Sequence, residues 1–234
     1  MNNYIFKQKT EEWLRKIAPY NKHKMKLNPK KTVLLVVDMQ NDFINKGSAV
    51  YTPMAEAILP NLKKLIVLCR RLKIPVIYTA HCHQEPKMDG GMTAEWWPEL
   101  KNKKVLVAGT KGAEIYPAIA PKSNEKIIFK HRYSAFYNTE LEIILRGLGV
   151  TDLIISGVMT NICCESTARD AFFRDFRVFF LADGTGSVDE ELHIGSLRNL
   201  AYAFAYVTTV SEILKRINPY RLRVQDGLNR SSLS

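Results

Sequence analysis

Short, mostly apolar runs recur along this chain, and between them lie longer segments in which apolar residues return every three or four positions. Runs without polar alternation are typical of parallel strands that are buried on both faces. Six such runs predict strands at residues 33–37, 76–78, 126–129, 153–156, 178–181 and 205–210.

The segments between these runs predict helices. In the first of them, apolar residues spaced as one helical face begin at Ile58 and end at Cys69, and Pro60 suits a first helical turn. Further helices are predicted at residues 139–146 and 189–200. Strands that alternate with helices predict an α/β fold, with a doubly wound, about six-stranded and mostly parallel sheet and helices on both of its faces.

The length of 234 residues and the hydrophobic content of 46% are enough for one large core. We interpret residues 32–218 as one domain. Residues 1–31 predict an amphipathic helix around Trp13 followed by a basic connector, and residues 219–234 predict a C-terminal tail.

The net charge of +11, from 34 basic and 23 acidic residues, lies mainly towards the two ends of the sequence. Nine basic residues but only two acidic ones lie from Lys7 to Lys31, and the tail adds Arg221, Arg223 and Arg230. Such charge runs are usually solvated surface, and no base-stacking aromatic pattern accompanies them. No glycine-rich phosphate-binding motif follows a strand. The sequence therefore predicts neither a nucleic-acid partner nor a nucleotide cofactor.

The four cysteines show neither zinc-ligand spacing nor a disulfide framework, which favours a reducing compartment. Residues 1–6 lack the apolar core of a secretory signal, and the longest apolar runs fall short of the roughly 20 residues that a membrane span needs. We expect a cytoplasmic protein with no membrane partner.

Three chemically reactive side chains follow predicted strands. Asp38 ends the first strand, Lys130 ends the third, and Cys163 follows the fourth. Taken singly, such an aspartate is usually a turn former, such a lysine an exposed residue and such a cysteine a small core residue. Because ligands bind beyond the carboxyl ends of parallel strands, the three together predict a covalent hydrolase site at one edge of the sheet.

The surroundings of Cys163 predict the first turn of a helix, because Thr160 and Asn161 supply capping side chains before a helical pattern. Unpaired N–H groups and the helix dipole at that position favour a thiolate, which is the nucleophilic form of cysteine.

Three segments resemble the signatures of the isochorismatase-like cysteine hydrolases: residues 36–43, 130–136 and 157–171. The resemblance runs from about residue 32 to residue 209 and includes residues 92–98. It implies a catalytic triad of Asp38, Lys130 and Cys163. It also implies a cis peptide bond between Val158 and Met159.

The resemblance implies hydrolysis of a C–N bond through a thioester intermediate. Asp38 accepts the thiol proton, Lys130 stabilises the thiolate, and the backbone N–H groups of Met159 and Cys163 form the oxyanion hole. Isochorismatases proper generally lack the cysteine, so its presence points to an amidohydrolase. Cys164 is the alternative nucleophile, but the family motif aligns Cys163, and neighbouring helical positions point in different directions.

Nicotinamidases of this family hold a metal with an Asp-x-His pair and a further histidine. The corresponding residues here are His81 and His83, and the third histidine is missing. Because two ligands make a weak site, we predict no metal and no other cofactor. His81 is then expected in the wall of the substrate pocket, and nicotinamidase activity is disfavoured.

The segments around Trp96 and Tyr133 are similar to the ureidoacrylate, biuret and N-carbamoyl amidohydrolase branch of the family. This likeness implies a small amide or ureido substrate, with Phe43, Tyr133 and Phe136 as pocket walls. It also implies a homo-oligomer, either a dimer or a tetramer. Loops 47–54 and 84–104 are expected to shape the pocket.

Three alternatives remain open on the sequence alone. The same fold suits a non-catalytic binding protein, for which the basic N-terminal segment is the motivation. Cys163 and Cys164 together suit a redox protein. A nicotinamidase-type amidase is the third alternative.

Overall fold

Six parallel strands form a single sheet in the computed structural model, which describes residues 3–102 and 104–217. The strands are β1 (Thr32–Val37), β2 (Val76–His81), β3 (Lys126–Lys130), β4 (Asp152–Val158), β5 (Arg177–Gly186) and β6 (Tyr206–Thr208). Their order across the sheet is β3-β2-β1-β4-β5-β6. Every strand predicted from the apolar runs is present, and the sheet is parallel throughout.

Helices connect the strands and precede and follow them in the chain. They are α1 (Asn3–Ile17), α2 (Asn41–Ile44), α3 (Pro53–Arg71), α4 (Pro86–Asp89), α5 (Met92–Trp96), α6 (Pro98–Lys101), α7 (Leu141–Gly147), α8 (Glu165–Phe173), α9 (Glu190–Ala203) and α10 (Val210–Ile217). Short 3₁₀ turns lie at Pro29–Lys31, Lys111–Ala113 and Pro117–Ile119, and a π-helical turn lies at Thr160–Cys164.

Helix α3 begins earlier than its sequence pattern predicts. It starts at Pro53, so Pro60 lies inside the helix and its placement in the first turn is wrong. Met54 and Ala55 are buried and extend the apolar face by one turn towards the N-terminus. Pro53 occupies the first helical position, where the missing N–H of proline has no cost.

The N-terminal helix α1 belongs to the core. Phe6, Trp13 and Ile17 are buried, and the Trp13 ring contacts the imidazole of His193 in α9 with the ring centroids 4.5 Å apart. The predicted C-terminal tail, residues 219–234, lies outside the described residues. Within the ranges that the structure describes, no helix is both long and apolar enough to cross a bilayer.

Candidate active site

The order of the strands reverses at β1, which lies between β2 and β4. In parallel sheets, ligands bind beyond the carboxyl ends of the strands at such a point. Asp38 follows β1 directly, Lys130 is the last residue of β3, and Cys163 lies in the π-helical turn after β4. The structure therefore brings together at this edge the three residues that the sequence singled out.

Asp38 is held by contacts to both of its carboxylate oxygens. Its Oδ1 accepts a hydrogen bond from the Thr79 hydroxyl at 2.5 Å, and its Oδ2 lies 2.7 Å from the Lys130 ammonium. Thr79 Oγ1 also accepts a hydrogen bond from the Asp38 backbone N–H at 3.1 Å. Both charged side chains are completely buried. A buried carboxylate needs such pairing, because an isolated charge in the interior is strongly unfavourable.

Gly157 allows β1 and β4 to approach closely beside Asp38. Its φ of +108° lies in the region that favours glycine, and it pairs with Val37 in the sheet. A Cβ atom at this position would overlap the Val37 carbonyl oxygen. The absence of a side chain therefore keeps the ends of the two strands in register at the site.

The Cys163 thiol is protonated in the resting site. Burial raises its pKa to about 12; Lys130 opposes this shift and Asp38 adds to it. The expectation of a thiolate was wrong, because the thiol is buried and precedes the first turn of α8 rather than lying within it. A base is therefore required to generate the nucleophile.

Lys130 keeps its proton. Burial alone would lower its pKa, but the neighbouring Asp38 and Cys163 outweigh burial and raise the pKa above its ordinary value. Lys130 Nζ also donates a hydrogen bond to the Arg132 carbonyl oxygen at 3.0 Å. The site thus holds a fixed positive charge next to the sulfur atom.

A cavity of about 170 Å³ opens beside Cys163. Phe43, His81 and Tyr133 line it, as the sequence predicted. Phe136 does not: its ring packs against Phe176, with centroids 5.9 Å apart. Phe136 is buried in the core, so packing rather than contact with substrate accounts for an aromatic residue at this position.

Half of the remaining lining residues come from loops 47–54 and 84–104, which the sequence could only mark as pocket-forming. The lining residues missed by sequence reasoning include Ala49, Val50, Tyr51, Thr93, Trp97, Leu100, Val105, Leu106, Asn161, Ile162, Val188 and Leu192. Trp97 Nε1 donates a hydrogen bond to the Tyr133 hydroxyl at 3.2 Å. Trp97 lies in one of the segments that carry the family resemblance, and that was the available signal for it.

Met159 and Cys163, the residues predicted to form the oxyanion hole, both line the cavity. The peptide bond between Val158 and Met159 is cis, as the resemblance implied.

The family model described as Isochorismatase domain matches residues 32–212. The chain belongs to the isochorismatase family. Nicotinamidase 3 of Arabidopsis thaliana is 40% identical over 200 residues, which cover 85% of this chain and 94% of that protein. Ureidoacrylate amidohydrolase RutB of Methylobacterium radiotolerans is 29% identical, and the match covers 83% of each chain. A solved cysteine hydrolase of Pseudomonas syringae pv. phaseolicola superimposes with a TM-score of 0.79 at 32% identity, covering 83% of this chain and 95% of the other.

The second cysteine of this isochorismatase-family chain points away from the cavity. The Cys164 sulfur lies 3.9 Å from the Ser156 carbonyl oxygen, and burial raises the pKa of this thiol well above its usual value. Cys163 lines the cavity and Cys164 does not. The geometry therefore favours Cys163 as the nucleophile and gives Cys164 a place in the core.

The donor atoms that a metal ion would need do not converge around the histidine pair. Among the described residues, ligand atoms within 4.8 Å of one another form two separate groups, Asp38–His81–Cys163 and His83–Asp89–His131. His81 and His83 thus belong to different groups, although their Nε2 atoms are 3.1 Å apart. The arrangement does not provide both histidines with a shared third ligand, so it does not fit the metal centre that the resemblance attributes to nicotinamidases.

Proposed function

We propose that the protein is a cysteine amidohydrolase that cleaves the C–N bond of a small amide. The observation that carries this proposal is the convergence of Asp38, Lys130 and Cys163 beside a partly open cavity that Cys163 lines. A carboxylate, an ammonium group and a thiol in this arrangement supply a base, a fixed positive charge and a nucleophile.

The proposed reaction begins when Asp38 takes the proton of the Cys163 thiol. The thiolate attacks the amide carbonyl carbon, and the backbone N–H groups of Met159 and Cys163 stabilise the oxyanion. Asp38 returns the proton to the leaving nitrogen, so that ammonia departs and a thioester remains. Water, deprotonated by the same carboxylate, then hydrolyses the thioester to the carboxylic acid and restores the thiol. Lys130 keeps its charge throughout and offsets the negative charge that moves between Asp38 and the sulfur.

The cavity favours a neutral aromatic carboxamide over an anionic ureido compound. Its walls carry aromatic and aliphatic side chains, among them Phe43, Tyr51 and Trp97. None of the described residues that line it is an arginine or a lysine. A substrate carboxylate would therefore lose its hydration without gaining a partner of opposite charge, which is unfavourable. The name of the Arabidopsis relative, nicotinamidase, agrees with this preference. The proposal therefore departs from the sequence-based expectation, which disfavoured nicotinamidase activity because a metal ligand is missing.

A substrate panel tests the proposal. Purified protein is assayed for ammonia release from neutral carboxamides such as nicotinamide and from anionic N-carbamoyl compounds such as ureidoacrylate. We expect turnover of the neutral amides, and we expect Cys163→Ala to abolish it while Cys164→Ala retains it. Undiminished turnover by Cys163→Ala would refute the covalent mechanism. A preference for ureidoacrylate would instead overturn the substrate assignment alone.

The non-catalytic alternative has a distinct signature. If the wild-type protein hydrolysed no amide of the panel and bound polyanions with strong salt dependence, the binding hypothesis would replace the amidohydrolase proposal.

A further inference from the structure

A line of hydrogen-bonded side chains leads from the protein surface to the proposed reaction centre. Asp89, at the end of α4, lies 2.9 Å through its Oδ1 from His83 Nδ1. On the other side of the same imidazole, His83 Nε2 lies 3.1 Å from His81 Nε2. Asp89 is one-quarter exposed at its side chain, whereas both histidines are buried. None of the catalytic steps described above uses Asp89 or His83.

The hydrogen bonds dictate where the protons lie. The Asp89 carboxylate can only accept, so His83 Nδ1 carries a hydrogen atom. Burial lowers the pKa of His83 even though Asp89 raises it, and burial lowers the pKa of His81 well below its ordinary value. Both rings are therefore neutral, with one N–H each. His83 Nε2 is then an acceptor, His81 Nε2–H is the donor to it, and His81 Nδ1 is left with a lone pair.

His81 lies beside the reacting atoms. It lines the cavity, and one of its ring nitrogens lies within 4.8 Å of an Asp38 carboxylate oxygen and of the Cys163 sulfur. Among the described residues, its Nδ1 has no hydrogen-bond partner. A primary amide brings N–H groups into this apolar cavity, and each buried donor needs an acceptor.

We propose that Asp89, His83 and His81 form a relay that holds His81 in its Nε2–H tautomer, so that Nδ1 accepts a hydrogen bond from the substrate amide. The proposal deepens the proposed function and rests on it. His81 contacts the substrate, whereas Asp89 and His83 act through it and are positioning residues. The relay gives the site a neutral acceptor directed at the substrate nitrogen, next to the positive charge of Lys130.

Asp89→Asn is the decisive variant, because it should reverse the donor and acceptor of each hydrogen bond in the relay while the side chains keep their positions. Asp89 Oδ2 accepts the backbone N–H groups of Gln84 and Glu85, at 2.8 and 3.4 Å. An asparagine would keep its carbonyl oxygen on these donors and turn its NH₂ group towards His83 Nδ1. His83 would then carry its hydrogen on Nε2, and His81 would be forced to carry its hydrogen on Nδ1.

Long-range ¹H–¹⁵N spectra of histidine-labelled protein report the tautomer of the His81 ring directly, and they need no substrate. We expect the His81 signals of the wild type to show the Nε2–H tautomer and those of Asp89→Asn to show the Nδ1–H tautomer. Unchanged His81 signals in Asp89→Asn would refute the relay.

Kinetics test the consequence for the substrate. With His81 Nδ1 converted to a donor, Asp89→Asn should raise KM for a primary carboxamide roughly tenfold and leave kcat within about twofold. The bond to the substrate N–H is made equally in the ground state and the transition state, so its loss affects KM. A loss confined to kcat would contradict the assigned contact.

His131→Gln is the matched control. His131 belongs to the same donor group as His83 and Asp89, but it is not on the line, because its Nδ1 lies 2.6 Å from the Cys82 carbonyl oxygen. The relay predicts that His131→Gln keeps the wild-type His81 tautomer and KM. Equal losses in Asp89→Asn and His131→Gln, together with stoichiometric metal in the purified wild type, would replace the relay with a metal site. Failure of the amidohydrolase proposal is recognised separately, by turnover in Cys163→Ala, and leaves the tautomer result readable.

Discussion

At the scale of single residues, the site depends on one buried ion pair. Asp38 and Lys130 are both fully buried, 2.7 Å apart. Removing one partner of such a pair leaves a buried charge without compensation, whereas removing both charges can be nearly neutral for stability.

This asymmetry gives a prediction for Lys130→Met. The variant should lose about 3–5 kcal/mol of unfolding free energy and all amide hydrolysis, because Asp38 is left unpaired. The double variant Asp38→Asn/Lys130→Met should recover most of the stability but no activity. Urea unfolding and ammonia release measure the two effects. A double variant no more stable than the single one would show that the ion pair does not govern the stability of the site.

A second prediction at this scale concerns substrate charge. Leu192 lines the cavity and is 43% exposed, so a longer polar side chain can reach solvent from this position. Leu192→Arg should raise the ratio of kcat/KM for an anionic amide to that for a neutral amide roughly tenfold, through a new charge-assisted hydrogen bond. Leu192→Gln, which is polar but uncharged, should leave the ratio nearly unchanged. An equal response to both substitutions would contradict the idea that the cavity lacks a counter-charge.

At the scale of elements, α1 and α9 together support the turn that carries Cys163. The Trp13 indole N–H donates to Glu190 Oε1 at 2.9 Å, and its ring contacts His193. His193 Nδ1 is 2.8 Å from the hydroxyl of Thr160, the first residue of the π-helical turn. The N-terminal helix lies outside the residues that the family model matches, yet it packs against this support.

Trp13→Ala should therefore destabilise the whole protein by about 3–5 kcal/mol, as for other large buried aromatic residues. Trp13→Phe should cost much less, because it keeps most of the ring packing and loses only the bond to Glu190. Denaturant unfolding of the two variants checks this order. If Trp13→Ala were as stable as the wild type, the packing of α1 would not contribute to the stability of the domain.

The strands were predictable from sequence because buried parallel strands appear as uninterrupted apolar runs, and the edge rule then identified Asp38, Lys130 and Cys163. The start of α3 was not predictable. Pro60 suits the first turn of a helix, and the burial of Met54, which extends the helix, depends on tertiary packing. The π-helical turn was not predictable either, since capping residues before an apolar pattern predict an ordinary α-helical turn.

At the scale of the whole molecule, the buried His193 and the partly buried Asp183 give opposite slopes to the dependence of stability on pH. Burial lowers the pKa of His193 from 6.5 to about 4, and burial raises the pKa of Asp183 from 3.8 to about 6. The His193 contribution is complete above pH 6.5 and is lost as the pH falls towards 4. The Asp183 contribution is complete below pH 3.8 and is lost as the pH rises towards 6.

Each shift corresponds to about 3 kcal/mol, so the two slopes largely cancel between pH 4 and 6. Relative to the wild type, His193→Gln should therefore lose stability as the pH rises through this window, and Asp183→Asn should gain it. Unfolding free energies measured at half-unit steps of pH reveal these difference curves. Parallel curves for the wild type and His193→Gln would contradict the neutral, buried state of His193.

The cavity and the relay were the parts that the sequence could not specify. Trp97, Tyr51 and Leu192 come together from three distant segments, and only the folded chain brings them together around Cys163. Asp89 gave no signal, because its contact with His83 depends on the path of the loop that leads into α4. The raised pKa of the Cys163 thiol likewise depends on burial, which the sequence pattern around the turn did not reveal.

The covalent role of Cys163 is tested most directly by trapping the intermediate. Wild-type protein mixed with excess nicotinamide is quenched in acid within the first turnovers, digested and examined by mass spectrometry. The account predicts that the peptide containing Cys163 gains the mass of the nicotinoyl group, that Cys164 remains unmodified, and that the adduct is absent from Cys163→Ala. Rapid release of ammonia with no acyl adduct on Cys163 under these conditions, or an adduct on Cys164, would contradict it.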